Sequence, residues 1–201
     1  MSQKSYITSV VIATFVLTFF CCDICRFADF HSDVTKFFVN ISGQIEFVTF
    51  PAGVFDEEVY IQYDAVWGPD WGVMSGLTSG TTQVSCAGDI PDRVVFNMPI
   101  DILFSSTNVS GWPQIILTVH GVNWRGVDSV RGYALVLTPP TAGSRVIEAP
   151  LLRLRSSTLL GEWLGWFTGQ YPQLADPKML ANGKDNYCKH FFLLFLARGH
   201  F

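Results

Sequence analysis

Residues 96–114, which read FNMPIDILFSSTNVSGWPQ, indicate the fold of the whole chain. The apolar run at residues 100–104 is typical of a strand. Pro99 precedes it and marks a kink, a bulge or a sheet edge, because proline cannot donate to a strand ladder. Residues 105–108 predict a turn, since Ser, Thr and Asn side chains hydrogen-bond to nearby backbone. A Gly-Trp-Pro sequence then leads into a second buried strand at residues 114–119. The stretch predicts the centre of a β-sandwich.

Alternation of apolar and polar residues predicts further strands. Residues 59–67 have period two, which is typical of a half-buried strand, and one face carries Val59, Ile61, Tyr63, Ala65 and Trp67. Residues 37–41 and 44–50 flank Ser42-Gly43 and predict either a hairpin or one strand with a bulge. Residues 74–82 are rich in Gly, Ser and Thr and predict a loop, and shorter strands are predicted at residues 82–86, 130–137, 145–147 and 151–154. We therefore expect an all-β protein, an antiparallel sandwich of two sheets over about residues 37–155.

A change of period after the last strand predicts a short C-terminal helical segment near residues 159–168. Its apolar face has helical spacing, i, i+3, i+4 and i+7, and consists of Leu160, Trp163, Leu164 and Phe167. A second short helix is predicted to begin near residue 176, with Asp176 as its N-cap and Pro177 as its first residue.

Length and charge limit the classes of function. A chain of 201 residues is expected to form one domain with a small appendage. Its formal net charge of −4 and its 13 Lys and Arg residues give no support for a nucleic-acid partner, which requires clustered cations. The five cysteines, at positions 21, 22, 25, 86 and 188, form no disulfide or zinc framework, so we expect reduced thiols.

The N-terminal residues 7–22 (ITSVVIATFVLTFFCC) are uncharged and leave three interpretations open. They are a membrane anchor, a cleaved signal peptide, or part of a non-native extension over residues 1–35 that a misassigned gene start would add. The run is shorter than the roughly 18–20 residues of a spanning helix, and no A-x-A-like cleavage site follows it. Two glycosylation sequons, at Asn40 and Asn108, would be usable only in a secreted chain.

Motifs that carry chemistry are missing from the sequence. No P-loop, dinucleotide fingerprint, nucleophile elbow or H-E-x-x-H motif occurs. The four histidines, at 31, 120, 190 and 200, have no nucleophile or metal partner near them in sequence. We therefore predict no enzyme activity, no catalytic, cofactor or metal residue, and no small-molecule substrate.

Carboxylates in the predicted loops raise the question of calcium. Ca²⁺ takes about 6–8 oxygen ligands, so a loop site would need several carboxylates at one end of the sheets. The candidates are Asp56, Glu57, Glu58, Asp64, Asp70, Asp89, Asp92 and Asp128. None of them forms a D-x-D pair, and we expect them to be solvated loop residues.

Tryptophan is the stronger surface signal, because it is enriched at binding hot spots and membrane interfaces. The residues in or next to predicted loops are Trp67, Trp71, Trp112 and Trp124, and Trp163 and Trp166 lie on the predicted helix. We expect most of them to plug the open ends of the sandwich. In particular, Trp112 is expected to be packed, within a Gly-Trp-Pro connection that brings the strands at 102–104 and 115–119 side by side.

The chain also resembles a known family, the B9 domain family, over residues 38–185. The residues that carry the resemblance are Val39-Asn40, GQIE at 43–46, Tyr60, Tyr63, WG at 67–68, DW at 70–71, GL at 76–77, FNMPID at 96–101, Phe104, STN at 106–108, GWPQI at 111–115, VRGY at 130–133, WF at 166–167, Tyr171 and DPK at 176–178. The resemblance implies a C2-like sandwich over residues 36–185. Residues 1–35 have no counterpart in the family, and residues 186–201 form an atypical end where the family continues with a last strand and a polar tail.

What the resemblance implies about function is a non-catalytic scaffold in the Meckel-syndrome (tectonic-like) complex of the ciliary transition zone, needed for ciliogenesis and for the barrier to membrane-protein entry. The implied partners are other B9-domain proteins and transition-zone subunits, and the implied location is the cytoplasm and cytoskeleton at the basal body. Two alternatives stay open: a peripheral C2-type module that contacts membrane lipid, suggested by the loop tryptophans, and a secreted or membrane-anchored sandwich, suggested by residues 7–22 and the sequons.

Overall fold

Strands dominate the structure, in agreement with the alternation of the sequence. The computed structural model describes residues 10–20, 36–50, 58–122, 126–154 and 173–182. Within these ranges the elements are β1 (Val10–Phe20), β2 (Phe37–Thr49), β3 (Glu58–Val66), β4 (Trp71–Gly76), β5 (Ser79–Thr81), β6 (Arg93–Ser106), β7 (Gln114–Val122), β8 (Asp128–Leu137), β9 (Gly143–Pro150) and α1 (Met179–Asn182). Every strand pair is antiparallel, and the predicted all-β sandwich is confirmed.

The strands form two sheets. The five-stranded sheet has the order β4-β6-β2-β1-β9, and the four-stranded sheet has the order β5-β3-β7-β8. Of the two interpretations of residues 37–50, one strand with a bulge is confirmed: β2 pairs with β6 throughout, and its register shifts between Ile45 and Phe47. The bulge places Phe47 under the guanidinium of Arg93, whose Cζ lies 4.1 Å from the ring centre.

The core lies between the sheets and is built from alternate residues of the long strands. Val59, Ile61 and Tyr63 of β3 are buried, as their alternation predicted, and they face Ile102 and Phe104 of β6 across the sandwich. Burying one such side chain stabilises a fold by about 1.5–3 kcal/mol. Burial of these alternate apolar side chains therefore drives the packing of the two sheets, and the period of two in the sequence places them on one face.

The connection between β6 and β7 corrects one expectation. The runs at residues 102–104 and 115–119 do not lie side by side in one sheet, because β6 belongs to the five-stranded sheet and β7 to the four-stranded sheet. They face each other across the core, and residues 107–113 cross from one sheet to the other. A hairpin would have kept both strands in one sheet; seven residues with a Gly-Trp-Pro sequence allow the crossing instead.

Strand bounds near β4 and β5 also differ from the prediction. Residues 74–82 were expected to be a loop, but β4 and β5 occupy most of it as the edge strands of the two sheets. The strand expected at 82–86 is reduced to one bridge between Ser85 and Val59. The side chains of this segment bond to β6 instead: the Gln83 amide donates to the carbonyl of Phe96 and the Ser85 hydroxyl to that of Val95.

Pro99 lies inside β6, where the sequence predicted a kink, a bulge or an edge. The strand runs through it unbroken and pairs it with Gln44 of β2. On the other side β4 pairs only with residues 102–106, so among the described residues β6 has one neighbouring strand at Pro99. The missing N–H is tolerated because this part of β6 is an edge.

Strand β1 lies within a segment that the sequence analysis placed outside the domain. It pairs with β2 on one side and with β9 on the other, so it is an internal strand of the five-stranded sheet. Val11 and Ala13 are fully buried in the core. The two residues are two positions apart and therefore share one face of the strand, the one turned to the core. In the described ranges, no helix has the length and apolar character needed to cross a membrane.

Residues 173–182 contact the outer face of the four-stranded sheet. The backbone N–H of Leu174 donates to the Tyr133 hydroxyl at 2.9 Å, and α1 contacts β7. The predicted cap of this helix is confirmed, because the Asp176 carboxylate accepts from the N–H of Lys178 at 2.9 Å. The helical segment predicted near residues 159–168 lies outside the described residues.

Candidate interaction surface

One end of the sandwich is filled by aromatic rings, and we call it the tryptophan end; it comprises residues 67–71 and 107–113. Trp71 is only 4% exposed and donates its indole N–H to the carbonyl of Ser110 at 2.8 Å. Its ring makes edge-to-face contacts with Phe37 and Trp112, at centroid distances of 5.4 and 5.1 Å. Such contacts each stabilise by about 0.5–1.5 kcal/mol beyond area burial, so this end is a rigid plug.

Two glycines let the loops of the tryptophan end touch. The backbone N–H of Gly68 donates to the carbonyl of Gly111 at 2.8 Å. A Cβ on Gly68 would lie 2.7 Å from the Cα of Gly111, and one on Gly111 would lie 2.5 Å from the Cα of Gly68. Gly111 also has φ of +73°, a conformation that side chains disfavour. Both positions therefore require glycine.

Polar groups at the tryptophan end are bonded to one another. The Asn108 amide donates to the carboxylate of Asp70 at 3.0 Å, and its carbonyl oxygen accepts from the N–H of Ser110 at 3.0 Å. The Ser106 hydroxyl lies 3.0 Å from the carbonyl of Asp70. The side-chain nitrogen that a glycan would modify in the second sequon is thus already engaged.

The structure places three of the predicted loop tryptophans inside this plug. Trp67 and Trp112 pack against the core, as does Trp71, and Trp67 lies 5.4 Å from Phe104 between ring centres. The expectation that they plug an open end is confirmed for these three. Trp124, Trp163 and Trp166 lie outside the described residues.

A second polar cluster lies at the opposite end of the four-stranded sheet, where β3, β7 and β8 meet. The ring of His120 stacks on Tyr60, its register partner, with 4.7 Å between centroids and 4° between planes. The Tyr60 hydroxyl donates to Asp128, whose other carboxylate oxygen lies 3.7 Å from Nδ1 of His120. Sequence spacing could not reveal this cluster, because Tyr60 and Asp128 are 68 positions apart.

Burial tunes the two titratable rings of this cluster in ways that keep both neutral. Burial raises the pKa of Tyr60 to about 12, and its hydrogen bond to the Asp128 carboxylate and that negative charge act in the same direction. Burial also lowers the pKa of His120 below its ordinary value, although Asp128 opposes the change. A neutral stack joined to one carboxylate fixes the ends of three strands, which is a structural role.

The calcium candidates are dispersed. Asp64 lies on β3, Asp70 at the tryptophan end, and Glu58 and Asp128 at the opposite end. Asp56 and Glu57 lie outside the described residues. Among the parts of the chain that the structure describes, no group of three His, Cys, Asp or Glu residues could hold a metal ion. Of the cysteines, Cys86 is described and has a free, exposed thiol.

Four of the exposed apolar side chains lie on β4, on β6 or in the chain next to β5, and we call the surface defined by Met74, Leu77, Val84 and Val95 the β4–β5 side. Leu77, between the two edge strands, is 73% exposed. Residues 71–88 contain no charged residue or histidine. Depletion of charge around exposed apolar groups is typical of the centre of a protein–protein interface. The signal for this surface in the sequence is the presence of Met74 and Leu77 within a Gly/Ser/Thr-rich segment, which the loop prediction did not take into account.

Comparisons with known proteins agree with the fold. The family B9-C2, described as ciliary basal body-associated B9 protein, matches residues 39–191. B9 domain-containing protein 1 of Xenopus laevis is 40% identical over 154 residues, which cover 76% of each chain. The Homo sapiens protein of the same name is 38% identical over 149 residues, or 74% of this chain and 72% of that protein.

A second group of relatives is more distant. B9 domain-containing protein 2 of Bos taurus is 28% identical over 156 residues, which cover 76% of this chain and 84% of that protein. The matched region contains β2 to β9 and α1, and a C2-like arrangement of two antiparallel sheets accounts for them. The chain belongs to the B9-C2 family of ciliary basal body-associated proteins.

Proposed function

We propose that this chain is a non-catalytic scaffold component of the Meckel-syndrome (tectonic-like) complex at the ciliary transition zone. There it binds other B9-domain proteins and contributes to ciliogenesis and to the barrier that controls entry of membrane proteins into the cilium. The observation that carries the proposal is the 40% identity with B9 domain-containing protein 1 over 154 residues.

The β4–β5 side is the surface that we assign to the B9-domain partner. Its apolar side chains are exposed, and residues 71–88, which include Met74, Leu77 and Val84, carry no charge. Extension of either sheet by a partner strand is disfavoured here, because the register of β4 shifts between Val73 and Ser75 and β5 has three residues. The partner therefore docks on side chains, with Leu77 at the centre.

The test places a charge on this surface in the full-length chain. Leu77→Asp is expected to abolish co-purification with other B9-domain proteins and to remove the tagged chain from the base of the axoneme in a ciliated cell. Burying an unpaired charge in an interface costs several kcal/mol, whereas an exposed substitution changes stability by about 0.5 kcal/mol or less. Val146→Asp, at a valine that is 64% exposed on β9, is the matched control. Equal binding by both variants would contradict this assignment.

A peripheral membrane-binding role has one observation in its favour, the exposed Val109 in a loop of the tryptophan end. The neighbouring tryptophans are turned into the core, so the apolar area offered to lipid is small. Liposome flotation of the full chain distinguishes the two functions. The scaffold proposal expects no binding without partners, and strong binding that Val109→Asp removes would support the lipid role instead.

A further inference from the structure

The five-stranded sheet contains one strand whose position is unusual for its place in the chain. β1 has register partners over Val10–Phe20 on β2 and over Val10–Leu17 on β9. Among the described residues, β1 is the one strand of this sheet that β9 pairs with. β1 thus fills a slot between β2 and β9, and removing it would open the edges of both.

The strand in this slot lies N-terminal to the residues that the family model matches. The family match begins at residue 39, whereas β1 ends at Phe20. An internal strand of the sheet is therefore supplied by a segment N-terminal to the family domain. β2 and β9, the two strands that border the slot, lie almost wholly within the matched range, whereas the strand between them lies before it.

The length of the connection to β2 is far greater than pairing requires. Phe20 is the register partner of Phe38, and two residues suffice for a hairpin between antiparallel neighbours. The chain between Phe20 and Phe37 has 16 residues. At 3.3–3.6 Å per residue, this connection spans up to roughly 50 Å, which is enough to deliver β1 to a neighbouring molecule.

Side-chain sizes make the slot selective. On the core face, Ala13 lies between its register partners Ile45 and Ile147, and Val11 lies between Val48 and Ala149. The small Ala13 thus meets two isoleucines, and Val11 meets one valine and one alanine. Charged residues and proline prevent a released strand from pairing elsewhere, and Val10–Phe20 contains neither.

We propose that the slot between β2 and β9 is a strand-acceptor site and that β1 is an exchangeable strand, which a second copy of this chain can supply in place of its own. Identical contacts form within one chain or between two. The exchanged dimer therefore differs from the monomer mainly in concentration dependence.

A cross-strand disulfide tests this exchange in the full-length chain. Thr14 and Gln44 are register partners on the outer face of the sheet, so Thr14→Cys with Gln44→Cys reports which chain supplies β1. The five native cysteines are replaced by Ser. The protein is unfolded, refolded at two concentrations that differ tenfold, oxidised and resolved on a non-reducing gel. We expect both a monomer with an internal disulfide and a covalent dimer, with a dimer-to-monomer ratio that rises about tenfold by mass action.

The matched control joins two strands that do not include β1. Ser42 and Asp101 are register partners on β2 and β6, and the pair Ser42→Cys with Asp101→Cys is expected to give the internal disulfide alone at both concentrations. If the Thr14/Gln44 pair gives internal disulfides alone, exchange is overturned. If that pair forms no disulfide at all, β1 does not occupy the slot. Covalent dimers from both pairs in equal amounts would also overturn the proposal.

Discussion

Replacing Gly111 with alanine tests whether the contact between the two glycine loops holds the tryptophan end together. The new methyl group would lie 2.5 Å from the Cα of Gly68 and 3.0 Å from its N. The loops must then separate, which breaks the 2.8 Å hydrogen bond from Gly68 N–H to the Gly111 carbonyl. Trp71 is affected too, because its backbone N–H donates to the carbonyl of Gly68 at 3.1 Å.

The magnitude follows from three contributions. A residue with a Cβ at φ of +73° costs roughly 1–2 kcal/mol. Overpacking adds about 1–3 kcal/mol, and the lost hydrogen bond adds about 0.5–1.5 kcal/mol. We expect Gly111→Ala to lower the free energy of unfolding by about 3–5 kcal/mol, a large share of the 5–15 kcal/mol available to a domain. For a chain of this length, Tm would fall by roughly 8–15 °C.

Gly126 supplies the control for the backbone contribution alone. It has φ of +74°, and a Cβ there would meet no atom of the described residues within 4 Å. Gly126→Ala is therefore expected to cost roughly 1–2 kcal/mol. Urea denaturation followed by tryptophan fluorescence measures both variants. If the two lose the same stability, the close contact between the loops contributes nothing and the reasoning is refuted.

Three further predictions concern other parts of the domain. Trp112→Ala is expected to destabilise the chain by about 3 kcal/mol, because its ring packs against the core; a wild-type melting curve with lost partner binding would instead make Trp112 an interface residue. The pKa of Tyr60 is about 12 in the folded state, against the ordinary tyrosine value of 10.0. The contribution of Tyr60 to stability is thus constant below about pH 10 and is lost as the pH rises from 10 to about 12. This decline, read from urea midpoints, should be smaller in Tyr60→Phe, and an equal decline in both proteins would count against it. Ala13→Asp buries an unpaired charge and should cost at least about 3 kcal/mol, whereas Val16→Lys, on the outer face, should change stability by about 0.5 kcal/mol or less; equal effects would mean that β1 does not pack as described.

The sequence predicted the parts of the fold that depend on local pattern. Alternation at residues 59–67 indicated β3 almost to its ends, and Asp176 indicated the helix cap. Local pattern could not show which strands become neighbours. The hydropathy of residues 7–22 left an anchor, a signal peptide and a non-native extension open as interpretations, and only the pairing of β1 with two distant strands shows that this segment is part of the sheet. Pairing between segments far apart in sequence depends on tertiary packing.

The same limit explains what was missed at the surface. Tyr60, His120 and Asp128 belong to three strands, and no spacing in the sequence relates them. The β4–β5 side was interpreted as a polar loop, because Gly, Ser and Thr dominate residues 74–82. Short edge strands are built from such residues, and their exposed apolar members become visible only when their burial is known.

The contrast between the ends and the side of the sandwich supports binding at the side. A module that binds through its loop tips needs apolar or charged groups presented there, but the tryptophans of one end face inward and its polar groups bond to one another. At the other end, Tyr60 and His120 are stacked and neutral. On the β4–β5 side the apolar groups are neither packed inward nor stacked on one another, because Met74 and Leu77 remain exposed within an uncharged segment. Exposed apolar side chains of this kind mark partner contacts in soluble domains. Leu77→Asp is therefore the variant most able to separate loss of partners from loss of fold.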